Sequence, residues 1–182
     1  MTIALRRATI DDVPFLARLL GHADVAPYLA ASRATTEAEL AVEVARSLEA
    51  PDAFGLLVIE LGSEPAGTVS WEIVNRRSRI ASVSGYAIDP SRRGQGIGVP
   101  VARAIQRHLI RELGFHRLQM EVYGFNERAL RHAERAGWIR EGARRKAYLR
   151  DDSWVDGIMF GLVEEDLDDR PDDRDAVRVR HE

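Results

Sequence analysis

The stretch best suited to chemistry is Arg93-Gly94-Gln95-Gly96-Ile97-Gly98, which has three glycines at alternate positions. It follows a run rich in β-branched and aromatic residues that ends at Asp89-Pro90, and it precedes apolar residues at helical spacing. A loop that joins a strand to a helix N-terminus presents unpaired amides and the positive end of the helix dipole. The segment is therefore predicted to bind an anion, most simply a phosphate group.

Two common phosphate-binding loops do not fit this stretch. A dinucleotide fingerprint would need its last glycine at position 99 or 101, and both positions are valine. A Walker loop would need a lysine, and none lies near. What remains is an R-x-x-G-x-G pattern; a glycine-rich turn with solvated arginines is the alternative interpretation.

The composition restricts the class of protein. A chain of 182 residues suits one domain with a substantial core. It has no cysteine, which excludes disulfides, thiolate metal sites and a cysteine acyl-enzyme. The net charge is -3, but residues 164–182 hold nine acids and four arginines, so residues 1–163 are nearly balanced. This balance gives little support to nucleic-acid binding.

Other features predict a cytoplasmic protein without a metal. The N-terminus lacks the apolar segment of a signal peptide, and no apolar run approaches the roughly 20 residues of a membrane span. The five histidines show no metal-ligand spacing. We therefore expect no membrane partner and no bound metal.

The hydrophobic pattern predicts a mixed α/β fold in βααβββαβαββ order, with about seven strands and helices on both faces of the sheet. Thr36 and Glu39 form a capping box for the second helix, and Asn126 is an N-cap for the fourth. Residues 1–167 are predicted to form the domain. Residues 168–182 are predicted to form a charged, mobile tail because they have almost no apolar content.

The glycine pattern and this element order resemble the GNAT superfamily of acyl-CoA-dependent N-acyltransferases. Asn126, the run from Gly137 to Gly142 and Trp154-Val155-Asp156 resemble its ribosomal-protein alanine acetyltransferase (RimJ/RimL-like) branch. The resemblance implies the GNAT fold and transfer of an acetyl group from acetyl-CoA to a primary amine. The acceptor is then a protein N-terminus or a small amine, and a homodimer is compatible with the branch. An aminoglycoside or polyamine acetyltransferase and a catalytically weak acyl-CoA-binding module are the alternatives.

The resemblance also implies which residues hold coenzyme A. Backbone amides of the glycine loop would bind the pyrophosphate, and the preceding strand would lie beside the pantetheine, with the Ile88 N–H as oxyanion donor. Asn126 would contact the pantetheine or cap its helix, and Arg135 would approach the nucleotide. The complete predicted set is Tyr86, Ala87, Ile88, Arg93, Gly94, Gln95, Gly96, Ile97, Gly98, Val99, Asn126 and Arg135.

The amine must lose a proton before it attacks, since a lysine has a pKa near 10.4 and an α-amine near 7.7–8.0. Glu121 is the candidate base because a carboxylate in an apolar strand is rare unless it is paired or faces a cavity; an ion pair with an arginine is the alternative. Glu72 is the rival. The resemblance implies a tyrosine that protonates the thiolate at the position of Ala133, or a serine at that of Ala129, so Tyr148, Tyr123 or water would take this role.

Aromatic rings and a carboxylate could receive a cationic amine. The candidates for such an acceptor pocket are Tyr28, Trp71, Trp154 and Asp156. Aromatic residues at these spacings are also typical of a hydrophobic core, which is the alternative interpretation.

Overall fold

A computed structural model describes residues 2–30, 34–167 and 177–180, and the strands within them form one sheet. The strands are β1 (Ile3–Arg7), β2 (Phe54–Leu61), β3 (Glu64–Asn75), β4 (Ile80–Ile88), β5 (Arg117–Tyr123), β6 (Ile139–Arg150), β7 (Ser153–Val163) and β8 (Val177–Val179). Their spatial order is β6-β7-β5-β4-β3-β2-β1-β8. The β4–β5 and β1–β8 pairs are parallel and the other pairs are antiparallel.

The four α-helices are α1 (Val13–Leu20), α2 (Glu37–Glu49), α3 (Gly98–Arg107) and α4 (Glu127–Arg135). One π turn, His108–Glu112, extends α3, and short 3-10 turns lie at Ile10–Asp12, Ala26–Tyr28, Pro90–Arg92 and Glu164–Asp166. The predicted capping box of α2 is confirmed. The Glu39 N–H donates to Thr36 Oγ1 at 3.3 Å, and the Thr36 N–H donates to the Glu39 carboxylate at 3.1 Å.

The helices cover the two faces of the sheet, and each face has its own apolar core. We call them the α1/α2 face and the α3/α4 face. Alternation along each strand decides which residues belong to which face. On the α1/α2 face lie Phe54, Leu56, Val58 and Ala87. On the α3/α4 face lie Ile59, Val69, Trp71, Val83, Leu118, Ile158 and Phe160.

The sheet opens between β4 and β5, and this opening is the feature that positions the site. The two strands pair only where Ile80–Ser82 meets residues 117–119. Further along, β5 continues to pair with β7 as far as Tyr123, and β4 continues along β3 as far as Ile88. Gly85 has φ +60° at a β-bulge in β4, where the register against β3 shifts. A wedge therefore separates the C-terminal halves of β4 and β5.

The fold class predicted from the sequence is confirmed, with one difference in the strand count. An eighth strand, Val177–Val179, lies within the range predicted as a tail and pairs with β1. Val177 packs into the apolar core, and the Arg180 N–H donates to Leu5 O at 2.7 Å. The sequence pattern did not predict this strand, because its alternating valines and arginines follow a run rich in acidic residues. The rest of the predicted tail, residues 168–176 and 181–182, lies outside the described residues.

Across the described residues, no helix combines the length and apolar character that a membrane crossing requires.

Candidate active site

The glycine loop joins the wedge to the start of α3. Gly94 has φ +79° and Gly96 has φ +74°, a region that side chains rarely adopt. Neither position has a neighbouring atom within 4 Å of an added Cβ. The first intrahelical hydrogen bond runs from the Val101 N–H to Ile97 O at 3.1 Å, so the Gly98 and Val99 amides precede it. The loop thus presents backbone amides at a helix N-terminus, the arrangement that binds phosphate.

Arg93 fixes this loop to its surroundings. Its Nε donates to Ile88 O at 3.2 Å, and one of its terminal nitrogens donates to Asp24 O at 3.2 Å. Burial lowers the pKa of the Arg93 guanidinium. A groove of about 480 Å³ adjoins it and is lined in part by Tyr28, Asn126 and Arg128. Arg93 therefore ties the end of β4 to the segment after α1, beside an open groove.

The third glycine of the loop has a packing role that the sequence did not suggest. A Cβ at Gly98 would lie 3.1 Å from Cε1 of His132 on α4. The Tyr86 hydroxyl donates to Gly98 O at 2.7 Å, and its ring stacks on His132 at 5.2 Å between centroids and 16° between planes. Burial raises the pKa of Tyr86, so its hydroxyl stays protonated. Tyr86 and His132 together hold the beginning of α3 in place.

His132 predicts an acid-dependent loss of stability. Burial, with further contributions from Arg135 and Arg128, lowers its pKa from 6.5 to about 4. Between these pH values the unfolded chain binds a proton that the folded chain does not, so stability is lost as the pH falls from 6.5 towards 4.

We therefore expect His132→Phe, which keeps a stacking ring without a titratable group, to remove this loss. The wild type should lose about 2 kcal/mol more unfolding free energy than the variant between pH 7 and pH 5. Urea unfolding at both pH values measures the difference. Equal losses in the two proteins would show that His132 titrates normally in the folded state.

Asn126 caps α4, as one of its two predicted roles required. Its Oδ1 accepts from the Ala129 N–H at 3.1 Å. A contact of Asn126 with pantetheine stays a prediction. Arg135 is exposed, and its backbone carbonyl accepts from Arg103 at 3.2 Å. Its approach to a nucleotide also stays a prediction.

Glu121 lies on β5, on the α1/α2 face, next to the wedge. Its carboxylate is 3.3 Å from an Arg144 guanidinium nitrogen and shares a hydrogen bond with the Tyr148 hydroxyl. Gly157 of β7 makes the space for both side chains. A Cβ there would overlap the Glu121 carboxylate and lie 2.7 Å from Tyr148 Cε2. Glu121 is thus ion-paired, as the alternative interpretation predicted. We call the space over Gly157 that holds the Glu121 and Tyr148 side chains the recess; it adjoins the wedge because β5 borders both.

Tyr148 has an environment suited to holding a proton. Burial, followed by the hydrogen bond with Glu121 and its charge, raises the pKa of the Tyr148 hydroxyl. The ring meets Tyr123 edge-on at 5.3 Å. A phenol with a raised pKa remains protonated at neutral pH and can donate a proton to a stronger base.

The rival carboxylate, Glu72, lies further from the wedge. It belongs to β3 and pairs with Ser82, whereas β5 borders the wedge directly. A nitrogen of Arg46 on α2 lies 3.2 Å from the Glu72 carboxylate, and both side chains are about half exposed. Of the two carboxylates, Glu121 is the one on a strand that borders the wedge.

The structure separates the four predicted acceptor-pocket residues. The assignment of Trp71 to the acceptor pocket is wrong, because Trp71 is 1% exposed in the core of the α3/α4 face. Its ring centroid lies 5.3 Å from that of Phe115. Gly55 on β2 makes room for its indole. Tyr28 is 45% exposed and contacts Phe125 at 5.9 Å, beside the groove.

Trp154 and Asp156 also require a correction. Gly157 pairs with Tyr123 and shares its face, so alternation along β7 places Trp154 and Asp156 on the opposite face from Glu121. Trp154 is 62% exposed. Asp156 accepts from the Lys146 N–H at 2.8 Å and thereby holds a bulge of β6. Its role there is structural.

Three residues of the site escaped the sequence analysis: Arg144, Gly157 and His132. Glycine inside a strand pattern suggests close approach of another group, and that signal was present at Gly157. Arg144 gave no signal, since it is one of several cations in its strand. Within the described part of the chain, no three His, Asp or Glu side chains form a group that could hold a metal ion.

Comparisons with known proteins identify the family and the fold. Residues 2–139 match the family described as an acetyltransferase (GNAT) domain. The chain is 26% identical over 119 residues to the SPbeta prophage-derived uncharacterized N-acetyltransferase YokL of Bacillus subtilis (strain 168), covering 64% of this chain and 66% of that protein. It thus spans less than two thirds of that relative's length.

Two solved structures have a similar fold. One is the spermidine N-acetyltransferase of Vibrio cholerae in complex with CoA and spermine, with a TM-score of 0.81, 18% identity, and coverage of 91% of this chain and 98% of that chain. The other is RimL, a ribosomal L7/L12 alpha-N-protein acetyltransferase in complex with coenzyme A. Its TM-score is 0.79 at 24% identity, and the match covers 92% of this chain and 97% of that chain. At these identities the likeness concerns the fold.

Proposed function

Because this chain belongs to the GNAT acetyltransferase family, we propose that it transfers an acetyl group from acetyl-CoA to a primary amine, with a protein N-terminal α-amine as the acceptor. One observation carries the proposal. The wedge between β4 and β5 has a phosphate-type loop at the start of α3 on one side and the Glu121 recess on the other. A thioester in the wedge would lie between the group that anchors it and the group that activates its acceptor.

The coenzyme side of the site uses backbone groups. The amides of residues 93–99 would hold the pyrophosphate, and Ala87 and Ile88, in the half of β4 that pairs with β3 but not with β5, would lie beside the pantetheine. Acetyl-CoA supplies the activated acetyl group. The Ile88 N–H would stabilise the oxyanion as the thioester carbon becomes tetrahedral.

The acceptor side deprotonates the amine. Its nitrogen attacks the thioester carbon while its proton passes to Glu121, and the carbon–sulfur bond then breaks to release thiolate. The Tyr148 hydroxyl, which is protonated at neutral pH, would donate a hydrogen bond to the leaving thiolate, and the thiolate would take its proton from water or by way of this hydroxyl. No protein nucleophile is needed, and the chain has no cysteine to form an acyl-enzyme.

The two structural neighbours named above act on different acceptors, spermidine and a protein N-terminus. A polyamine acceptor is therefore the second candidate. Ala129 and Ala133 stand where relatives carry an acid, which keeps a weakly active acyl-CoA-binding module as the third. The exposed Arg144 guanidinium beside Glu121 would repel the ammonium groups of a polyamine, which favours the peptide acceptor.

A thiol-release assay with acetyl-CoA tests the proposal. We expect acceptor-dependent release of CoA with short unblocked peptides and none with the same peptides blocked at the N-terminus. Turnover of spermidine alone would favour the polyamine acceptor. Binding of acetyl-CoA without turnover of any amine would favour the binding module.

A further inference from the structure

We infer that the acceptor is an acidic peptide N-terminus and that Arg144 is the residue that selects it by binding a carboxylate of the peptide. This inference deepens the proposed function and rests on it. It begins from the ion pair between Arg144 and Glu121, which places a positive charge on the proposed base before any acceptor arrives.

The ion pair is accessible to an incoming molecule. The Arg144 side chain is 59% exposed and the Glu121 side chain 24% exposed, with 3.3 Å between the two charged groups. An amine that arrives protonated brings a second positive charge to the same carboxylate. A carboxylate on the acceptor would offer Arg144 a new partner and leave Glu121 free for the amine.

The surrounding charge is positive. From Arg144 to Arg150 the chain has four cations and no acid, and two acids, Asp151 and Asp152, follow in the β6–β7 turn. Arg150 lies over the Tyr123 ring at 5.1 Å and donates to Pro27 O at 2.7 Å, which fixes its charge beside the recess. Arg145 and Lys146 are exposed in the bulge of β6.

Two other carboxylates of β6 and β7 already have partners. Glu141 on the same face forms an ion pair with Arg117, which lowers the pKa of that carboxyl. Asp156 faces the other way and accepts from the Lys146 N–H. A polyamine would bring further ammonium groups towards Arg144 and Arg150, whereas an acidic peptide would bring carboxylates to these two cations.

Three peptides that differ only after a shared N-terminal serine test the inference: Ser-Glu-Glu-Ala, Ser-Gln-Gln-Ala and Ser-Lys-Lys-Ala. We expect kcat/KM to fall in that order, and the advantage of the acidic peptide to shrink as salt is added, because salt screens exposed charges. Arg144→Gln should lower kcat/KM for the acidic peptide about tenfold, mainly through KM, and change the lysine peptide little or in its favour. Arg144→Lys should keep part of the preference.

Arg76→Gln is the matched control, because Arg76 forms an exposed ion pair with Asp52 at 3.7 Å outside the recess. It should leave the ratio between peptides unchanged. Equal kcat/KM for the acidic and lysine peptides, or an unchanged ratio in Arg144→Gln, would overturn the inference while leaving N-acetylation intact. Failure of every peptide to release CoA would instead overturn the proposed function.

Discussion

Replacing Glu121 by glutamine is expected to lower acetyl transfer at neutral pH by about 10²- to 10⁴-fold, the usual cost of losing an acid–base group. The amide keeps the size of the side chain in the recess over Gly157, but it cannot take a proton from the amine. Binding of acetyl-CoA should not change, since the coenzyme side of the site uses the glycine loop. Steady-state thiol release and a thermal shift with acetyl-CoA measure the two quantities.

The loss in Glu121→Gln should shrink as the pH rises. An α-amine deprotonates without help above its pKa of about 7.7–8.0, so a variant that lacks only the base recovers there. Glu72→Gln is the matched control because Glu72 is also paired with an arginine but lies further from the wedge. It should retain near wild-type turnover. A Glu121→Gln enzyme with normal turnover at neutral pH would remove Glu121 as the base.

Replacing Gly96 by valine is expected to abolish the stabilisation by acetyl-CoA. A ligand at 100 times its Kd adds about 2.7 kcal/mol to the native state. For a chain of this size that corresponds to a rise in Tm of about 5–10 °C. A β-branched residue cannot adopt φ +74° without strain, so the loop would change its path and its amides would no longer converge on the pyrophosphate.

Gly62→Val separates loss of the site from loss of stability. Gly62 has φ +68° in the β2–β3 turn and, like Gly96, no atom within 4 Å of an added Cβ. Both variants should lose similar stability without ligand. Only Gly96→Val should lose the rise in Tm with acetyl-CoA; a normal rise in Gly96→Val would contradict a phosphate role for the loop.

The order of the elements and the place of the loop could be read from the sequence because both depend on local patterns. Alternation in β5 separated Leu118 and Met120 from Glu121, and the structure places them on opposite faces as that pattern requires. The Asn126 cap and the Thr36 box are equally local. Each depends on residues within a few positions of one another.

The arrangement across strands could not be read in this way. The bulges at Gly85 and near Lys146 shift the register, and no single-strand pattern places Arg144 opposite Gly157. The aromatic type of Trp71 suits a cation and makes it a candidate for the acceptor pocket, but its indole is buried because Gly55 on the neighbouring strand leaves room for it. A site assembled from β4, β5, β6 and β7 depends on pairing between residues that are far apart in the sequence.

Hydrogen exchange of the backbone amides, measured with and without acetyl-CoA, shows whether the coenzyme binds in the wedge between β4 and β5. We expect slower exchange with acetyl-CoA in two segments, residues 93–99 of the glycine loop and residues 84–88 of β4, where this strand does not pair with β5. The β2–β3 turn around Gly62 should exchange at the same rate with and without ligand. Unchanged exchange in both segments at saturating acetyl-CoA, or protection confined to other parts of the chain, would contradict a thioester site in the wedge.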